Sequence, residues 1–206
     1  LKRFIDPEAF ASLEAEEQRR RLLLLLFCSI ALIPLFLYAI VDFRQGNLFE
    51  SMVEGGAGIY LLYCMATLRS PGKIEWVYKT FLAIGVFLFG ILAIDGGEHG
   101  SKVYYSFVYP TIAFFLLGTR KGLPWVIGFS LGLLIIFINP TDYHGINPYS
   151  IDVVIRFCVV FTLISFLNYS YEWVRENTQR DLEREKDKLR KATLQANAAN
   201  KAKSDF

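Results

Sequence analysis

The chain has 206 residues, 53% hydrophobic and 20% charged, with a formal net charge of +2. Soluble domains carry about 25% charged residues, and here the charge gathers in residues 1–21 and 174–206 while 22–173 is apolar and aromatic. That partition excludes a water-soluble globule and implies an all-α polytopic membrane core between two polar arms, with no nucleic-acid partner.

Residues 1–21 are the first arm, read as a cytoplasmic amphipathic helix. Asp6 can cap it, Pro7 suits its first position and Glu8 complements its dipole. Phe10 and Leu13 can lie on the inner membrane surface. No cleavable signal peptide is evident: the run after Arg19-Arg20-Arg21 is long and lacks a small-residue cleavage pattern, so it reads as a retained span.

A helix needs about 20 mainly apolar residues to cross a bilayer. Six runs are candidates: 22–43, 49–68, 76–94, a short 103–118, 123–138 and 151–173. Only Thr119-Arg120-Lys121-Gly122 separates the fourth from the fifth, which implies a tight helical hairpin. Lys2, Arg3, Arg19, Arg20, Arg21, Arg69, Lys73, Arg120 and Lys121 all fall at one set of ends, against Arg44 and Lys102 at the other. Basic residues favour the cytoplasmic side, so both termini are expected inside, in a bacterial inner membrane. Tyrosines and tryptophans near both sets of ends suit the headgroup level. Gly55, Gly56, Gly58, Gly85, Gly90 and the Gly128/Gly132 pair allow close helix approach, and Pro34 and Pro110 are candidate kinks. Cys28, Cys64 and Cys158 sit in apolar runs without metal spacing and read as small core hydrophobes, not a disulfide framework.

Ionisable residues within spans are costly, about 2.5–3.5 kcal/mol each on insertion scales, and are functional candidates by default. Glu54, Asp95, Glu98, His99, Asp152 and Arg156 all fall toward the outer face. Two readings stand. In one, Arg156 pairs with Asp152, Glu54 or Asp95 and fixes helix packing. In the other, these residues line an outward pocket for a small molecule, rimmed by Tyr104, Tyr105, Tyr109 and His99. An anionic ligand would suit Arg156, and an amphipathic one could enter from lipid. No metal site is expected, and no phosphate loop, metal cluster, nucleophile elbow or dinucleotide fingerprint is present.

Residues 174–206 lack proline and glycine and are rich in helix formers. A weak heptad runs through Leu182, Leu189 and Ala196 at one position and Ala192, Ala199 and Phe206 at the other, which suits a homodimer seam that can shift. Nothing breaks the helix between Phe166 and the end, so the sixth span and this arm can form one signalling rod.

The run Ala198-Ala199-Asn200-Lys201-Ala202-Lys203-Ser204-Asp205-Phe206 resembles the entry to the dimerisation helix of sensor histidine kinases. Asp95-Gly96-Gly97, Tyr109-Pro110 and Ala113-Phe114-Phe115-Leu116-Leu117-Gly118 are similar to six-span input modules of bacterial signalling proteins. The first resemblance implies a sensor region ending just ahead of the phospho-accepting histidine. It also implies ATP and magnesium for the kinase domain and a response regulator as partner, with no catalytic residue or cofactor in these 206 residues. An input domain of a diguanylate cyclase is the alternative within signalling. A transporter would need repeats, broken helices and polar groups near the midplane, which the sequence does not display.

Overall fold

A computed structural model describes residues 13, 15–68, 74–138 and 149–204, with side chains for all of these except 98–99 and 198–204. Among the described residues the chain is helical throughout. Helix α1 spans Ala15–Gln45, α2 Leu48–Thr67, α3 Glu75–Asp95, α4 Val108–Ile138 and α5 Ile151–Ser204, with a 3-10 helix over Glu98–Phe107.

Helix α1 opens with Glu16 and Glu17 and closes with Arg44, charges that complement its dipole. Gly46, at φ 86°, turns the chain, and the Asn47 N–H donates to the Asp42 carbonyl at 2.9 Å. Helix α2 then packs back along α1. Its small residues set the spacing: a Cβ on Gly58 would lie 3.1 Å from the Phe36 ring, and one on Gly55 would touch Ala39. The Ser51 hydroxyl donates to the Ala39 carbonyl at 2.8 Å. Cys28 and Cys64 are fully buried between the two helices, as free thiols that pack against each other. Gly56, Gly90, Gly128 and Gly132 meet nothing within 4 Å, so the expected small-residue contact at Gly128/Gly132 is not made within the chain.

Helix α4 doubles back on itself. Gly118 has φ 78° and ψ 179°, a conformation essentially confined to glycine. Tyr109 and Phe129 consequently meet as a tilted pair with ring centroids 4.3 Å apart, where a straight helix would separate them by about 30 Å. The expected hairpin is therefore present. Its turn is Gly118 rather than the 119–122 segment, which is helical. The expected fourth run also differs at its start: residues 103–107 belong to the 3-10 helix, and α4 begins at Val108. Pro110 lies in the first turn, where no intrahelical N–H is needed, so it starts a helix rather than kinking one. Pro34 does lie inside α1.

Of the first arm, residues 15–21 form the opening turns of α1, and Asp6, Pro7, Glu8 and Phe10 lie outside the described residues. Among the described residues, four helical stretches are long and apolar enough to cross a membrane: Ala15–Gln45, Glu75–Asp95, Gly100–Ile138 and Ile151–Asn197. Against the six expected runs, Gly100–Ile138 contains two in one stretch, and α2 falls short because Glu50, Glu54 and three glycines dilute its apolar content.

The core lies between the helices, with Leu24, Tyr78, Leu82, Phe114, Leu116 and Phe161 among its members. An aromatic ladder docks α5 onto it: Phe107 stacks on Phe157 at 4.9 Å, and Phe129 meets Phe161 at 6.2 Å. Helix α5 runs 54 residues without a break, about 80 Å. It crosses the expected boundary at 173/174 without interruption. Beyond it, Leu182 and Leu189 are 53% and 68% exposed.

Candidate functional site

The charges that the apolar helices carry are gathered at the two ends of the bundle, and each end forms a cluster. At the end shared by the start of α2 and the close of α3, Lys102 donates to Glu50 Oε2 at 2.8 Å and to Asp95 Oδ2 at 2.7 Å. The segment after α3 is shaped for this. Gly96 and Gly97 have φ of 71° and 61°. The Gly97 N–H donates to Asp95 Oδ2 at 3.1 Å, and a Cβ on Gly97 would lie 2.8 Å from Lys102 Cγ. Glycine is thus required both for the turn and for the lysine stem.

One turn along α2, Glu54 is 5% exposed and its Oε2 has no hydrogen-bond partner. Asp42 of α1, Glu50 and Lys102 are its charged neighbours. Tyr38 and Tyr105 share a hydroxyl hydrogen bond of 2.9 Å beside them. Against Glu50 and Asp95 opens a groove of ≈ 670 Å³, lined further by Gly46, Asn47, Leu48, Phe49, Phe87, Ile91 and Ile94.

The expected site residues divide accordingly. Glu54, Asp95 and Tyr105 come together. Tyr109 is not a rim residue: it is buried, with its ring on Phe129 and Phe89. Tyr104 is half-exposed and packs on Phe107. Asp152 and Arg156 lie exposed on the first turns of α5, and no ion pair joins Arg156 to Asp152, Glu54 or Asp95 among the described residues. Lys102 has taken the place assigned to Arg156. Glu98 and His99 belong to the 3-10 helix, their side chains outside the described residues, as is His144.

The opposite end holds a larger network. Glu172 of α5 is 0% exposed and accepts from Arg19 at 2.7 Å and Arg175 at 2.6 Å. Glu16 accepts from Arg175 at 3.0 Å, Arg20 at 3.0 Å and Arg19 at 3.2 Å. Arg19 also donates to the Phe115 carbonyl at 3.2 Å, just ahead of the Gly118 turn. That turn is itself clasped, since the Thr119 N–H and hydroxyl donate to the two oxygens of Glu176 at 2.9 and 2.7 Å. Arg21, 2% exposed, reaches Glu17 at 3.1 Å and the Leu68 carbonyl at 3.2 Å. Tyr78 of α3 donates to Glu17 at 3.1 Å.

Four carboxylates and four guanidinium groups thus tie the start of α1 to the end of α2 and the start of α3 through Glu17 and Arg21, and to α5 and the turn of α4 through Glu16, Arg19, Glu172 and Glu176. Glu16 lies ahead of the apolar run that begins at Leu22. Burial pushes its carboxyl up, but hydrogen bonds from Arg175, Arg19 and Arg20 outweigh that and hold it at about 2. Read as sequence, Arg19–Arg21 are orientation signals. Their structural role was legible only in the spacing of Glu172 and Glu176, which puts two carboxylates on one face of α5 where the apolar run ends.

No group of three or more His, Cys, Asp or Glu side chains able to hold a metal is found among the described residues. The proposed seam residues Leu182, Leu189, Ala192 and Ala196 are exposed and helical, Ala199 is helical, and Phe206 lies outside the described residues. No curated protein and no solved structure matches the chain. Residues 13–182 match the family model MASE6. The chain belongs to that family of membrane-associated sensor domains.

Proposed function

We propose that this MASE6 domain is the input module of a bacterial inner-membrane sensor histidine kinase, crossing the membrane six times with both ends in the cytoplasm. A small molecule arriving from outside the cell or from the lipid shifts the packing at the acidic end. Helix α5 carries the shift inward as a movement of the rod, and homodimerisation through Leu182, Leu189, Ala192, Ala196, Ala199 and Phe206 presents two kinase domains to each other. ATP and magnesium serve the kinase, and a response regulator receives the phosphoryl group.

One observation carries this reading: a single unbroken helix, Ile151–Ser204, is part of the bundle at one end and free at the other, and is gripped at Glu172–Glu176 between them. Signalling through such an element requires two arrangements whose balance a stimulus biases. A buried charge network at the exit point is suited to having two discrete settings.

The test uses the full-length protein in vesicles. Glu172→Met opens the network without any ligand, and autophosphorylation from ATP is followed as acid-labile phosphohistidine. A several-fold change in that rate is expected, and it is abolished when Asn177 and Thr178 are both replaced by glycine. An unchanged rate in Glu172→Met overturns the rod mechanism. Synthesis of a cyclic dinucleotide from GTP would assign the output to a diguanylate cyclase, and rapid solute flux through the vesicle wall would assign the chain to transport.

A further inference from the structure

We propose that the acidic-end groove is a binding site for a single-chain amphipathic cation, an alkylammonium whose head sits on Glu50 and Asp95 and whose tail lies along Phe49, Phe87, Ile91 and Ile94. The inference deepens the sensor reading and rests on it only for the consequence of binding.

Charge decides the ligand's sign. Asp42, Glu50, Glu54 and Asp95 are four acidic side chains within one cluster, and Lys102 is bound to two of them, Glu50 and Asp95. The groove is lined by Glu50 and Asp95 but not by Lys102, so an incoming head group meets carboxylates. Each of those carboxylates gives Lys102 one oxygen. Glu54, 5% exposed, lies behind them against the Asp42 carboxyl, with which it shares a hydrogen bond. Crowding of acidic groups in a partly buried cluster is costly, and an added positive charge lowers that cost.

Shape decides the rest. The rest of the lining is chiefly apolar, and Phe49 and Phe87 are exposed at the bundle surface, so the site opens sideways to lipid. A groove of ≈ 670 Å³ falls within the ~300–1,000 Å³ range of small-molecule sites, which suits one alkyl chain. Arg156, which would have suited an anion, lies apart on α5.

Lys102 has a specific part in this. It neutralises the two carboxylates when the groove is empty, so a ligand ammonium competes with it. Removing the lysine therefore strengthens binding, whereas a merely structural lysine would weaken it.

The experiment uses the chain in phosphatidylglycerol nanodiscs and radiolabelled dodecyltrimethylammonium below its micelle concentration. Dodecyl sulfate and dodecyl maltoside serve as chain-matched competitors. Saturable binding is expected, competed by unlabelled cation and not by the other two. Glu50→Gln or Asp95→Asn weakens it about tenfold, the size of one charge-assisted contact, and Lys102→Met tightens it several-fold. Thermal unfolding of each variant separates lost binding from lost fold.

Equal competition by sulfate or maltoside overturns the proposal, as does binding indifferent to both carboxylate variants. Loss of the site in nanodiscs containing phosphatidylethanolamine assigns it to a membrane lipid and also overturns it. Binding that leaves autophosphorylation of the full-length protein unchanged preserves the site and removes the sensor reading.

Discussion

Replacing Glu172 by methionine tests whether the arginine end is held by its buried charges. Glu172 has no exposed surface and anchors Arg19 at 2.7 Å and Arg175 at 2.6 Å. Removing one partner of a buried ion pair costs about 3–5 kcal/mol, because the surviving charge is left uncompensated. Here the lower figure applies. Glu16 still reaches Arg175 at 3.0 Å and Arg19 at 3.2 Å, and both arginine side chains keep some solvent contact. A loss of about 3 kcal/mol corresponds to roughly 6–12 °C in a domain of this size. Methionine at Arg19, Glu172 and Arg175 together is the informative companion. Replacing buried ion pairs by apolar residues of similar volume is often neutral, and Glu16 keeps Arg20 at 3.0 Å, so the triple variant should recover part of the loss. Thermal unfolding in detergent micelles, followed by size-exclusion chromatography, measures both. If Glu172→Met melts with the parent, or the triple variant melts as low as the single one, the buried charges do not hold the joint.

Gly118→Ala places a Cβ 2.5 Å from Glu176 Oε1 at φ 78°. It should cost about 1–3 kcal/mol from backbone strain alone, read as a lowered melting temperature, while Gly128→Ala, with nothing within 4 Å, should leave it unchanged. Glu16 supplies the pH dependence. Its folded pKa of about 2 lies below the ordinary 4.5, so its contribution is fully present above pH 4.5 and is lost as the pH falls toward 2. After allowance for its partial exposure this amounts to roughly 1–2 kcal/mol, and Glu16→Gln should flatten the acid limb of the stability curve by that amount.

The helices were legible because apolar runs of the required length leave few alternatives. Arg120 and Lys121, one short break between two such runs, foretold the fold-back. The turn itself was misplaced by one residue because glycine at position 118 acts through φ, which hydropathy does not register. Residues 103–107 were misread for the opposite reason: composition cannot separate a 3-10 helix from an α-helix, and only Pro110 marks where the second begins. The acidic site was half legible. Glu54 and Asp95 stood out as carboxylates within or at the edge of spans, and their shared end followed from topology. Their cation did not. Arg156 is the obvious candidate because it lies inside an apolar run, whereas Lys102 lies in a loop. Its capture by Glu50 and Asp95 depends on how Gly96 and Gly97 turn the chain. The network around Glu172 was least visible, because arginines before a first span already have a sufficient explanation in orientation.

The two ends are built from different helices, and this limits how a signal can travel between them. Among the described residues, the acidic end draws on Asp42 of α1, Glu50 and Glu54 of α2, Asp95 of α3 and Lys102 of the 3-10 helix, and takes no charged partner from α5. The arginine end brings α1, α2 and α3 back together, through Glu16, Arg19, Arg21, the Leu68 carbonyl and Tyr78, and fastens them to α5. On the sensor reading, α1 to α3 therefore receive and α5 transmits. Arg19 is the hinge-point between them, since one guanidinium touches Glu16 on its own helix, the Phe115 carbonyl before the α4 turn and Glu172 on α5. A tilt of α1 set at Asp42 must break or carry these bonds. Each is charge-assisted and worth about 1.5–3 kcal/mol, so a ligand whose affinity differs between the two settings by 10–100-fold can move the balance. An amphiphile in the groove between α2 and α3 is placed to supply that difference, because it changes the charge that Glu50 and Glu54 present to Asp42 on α1.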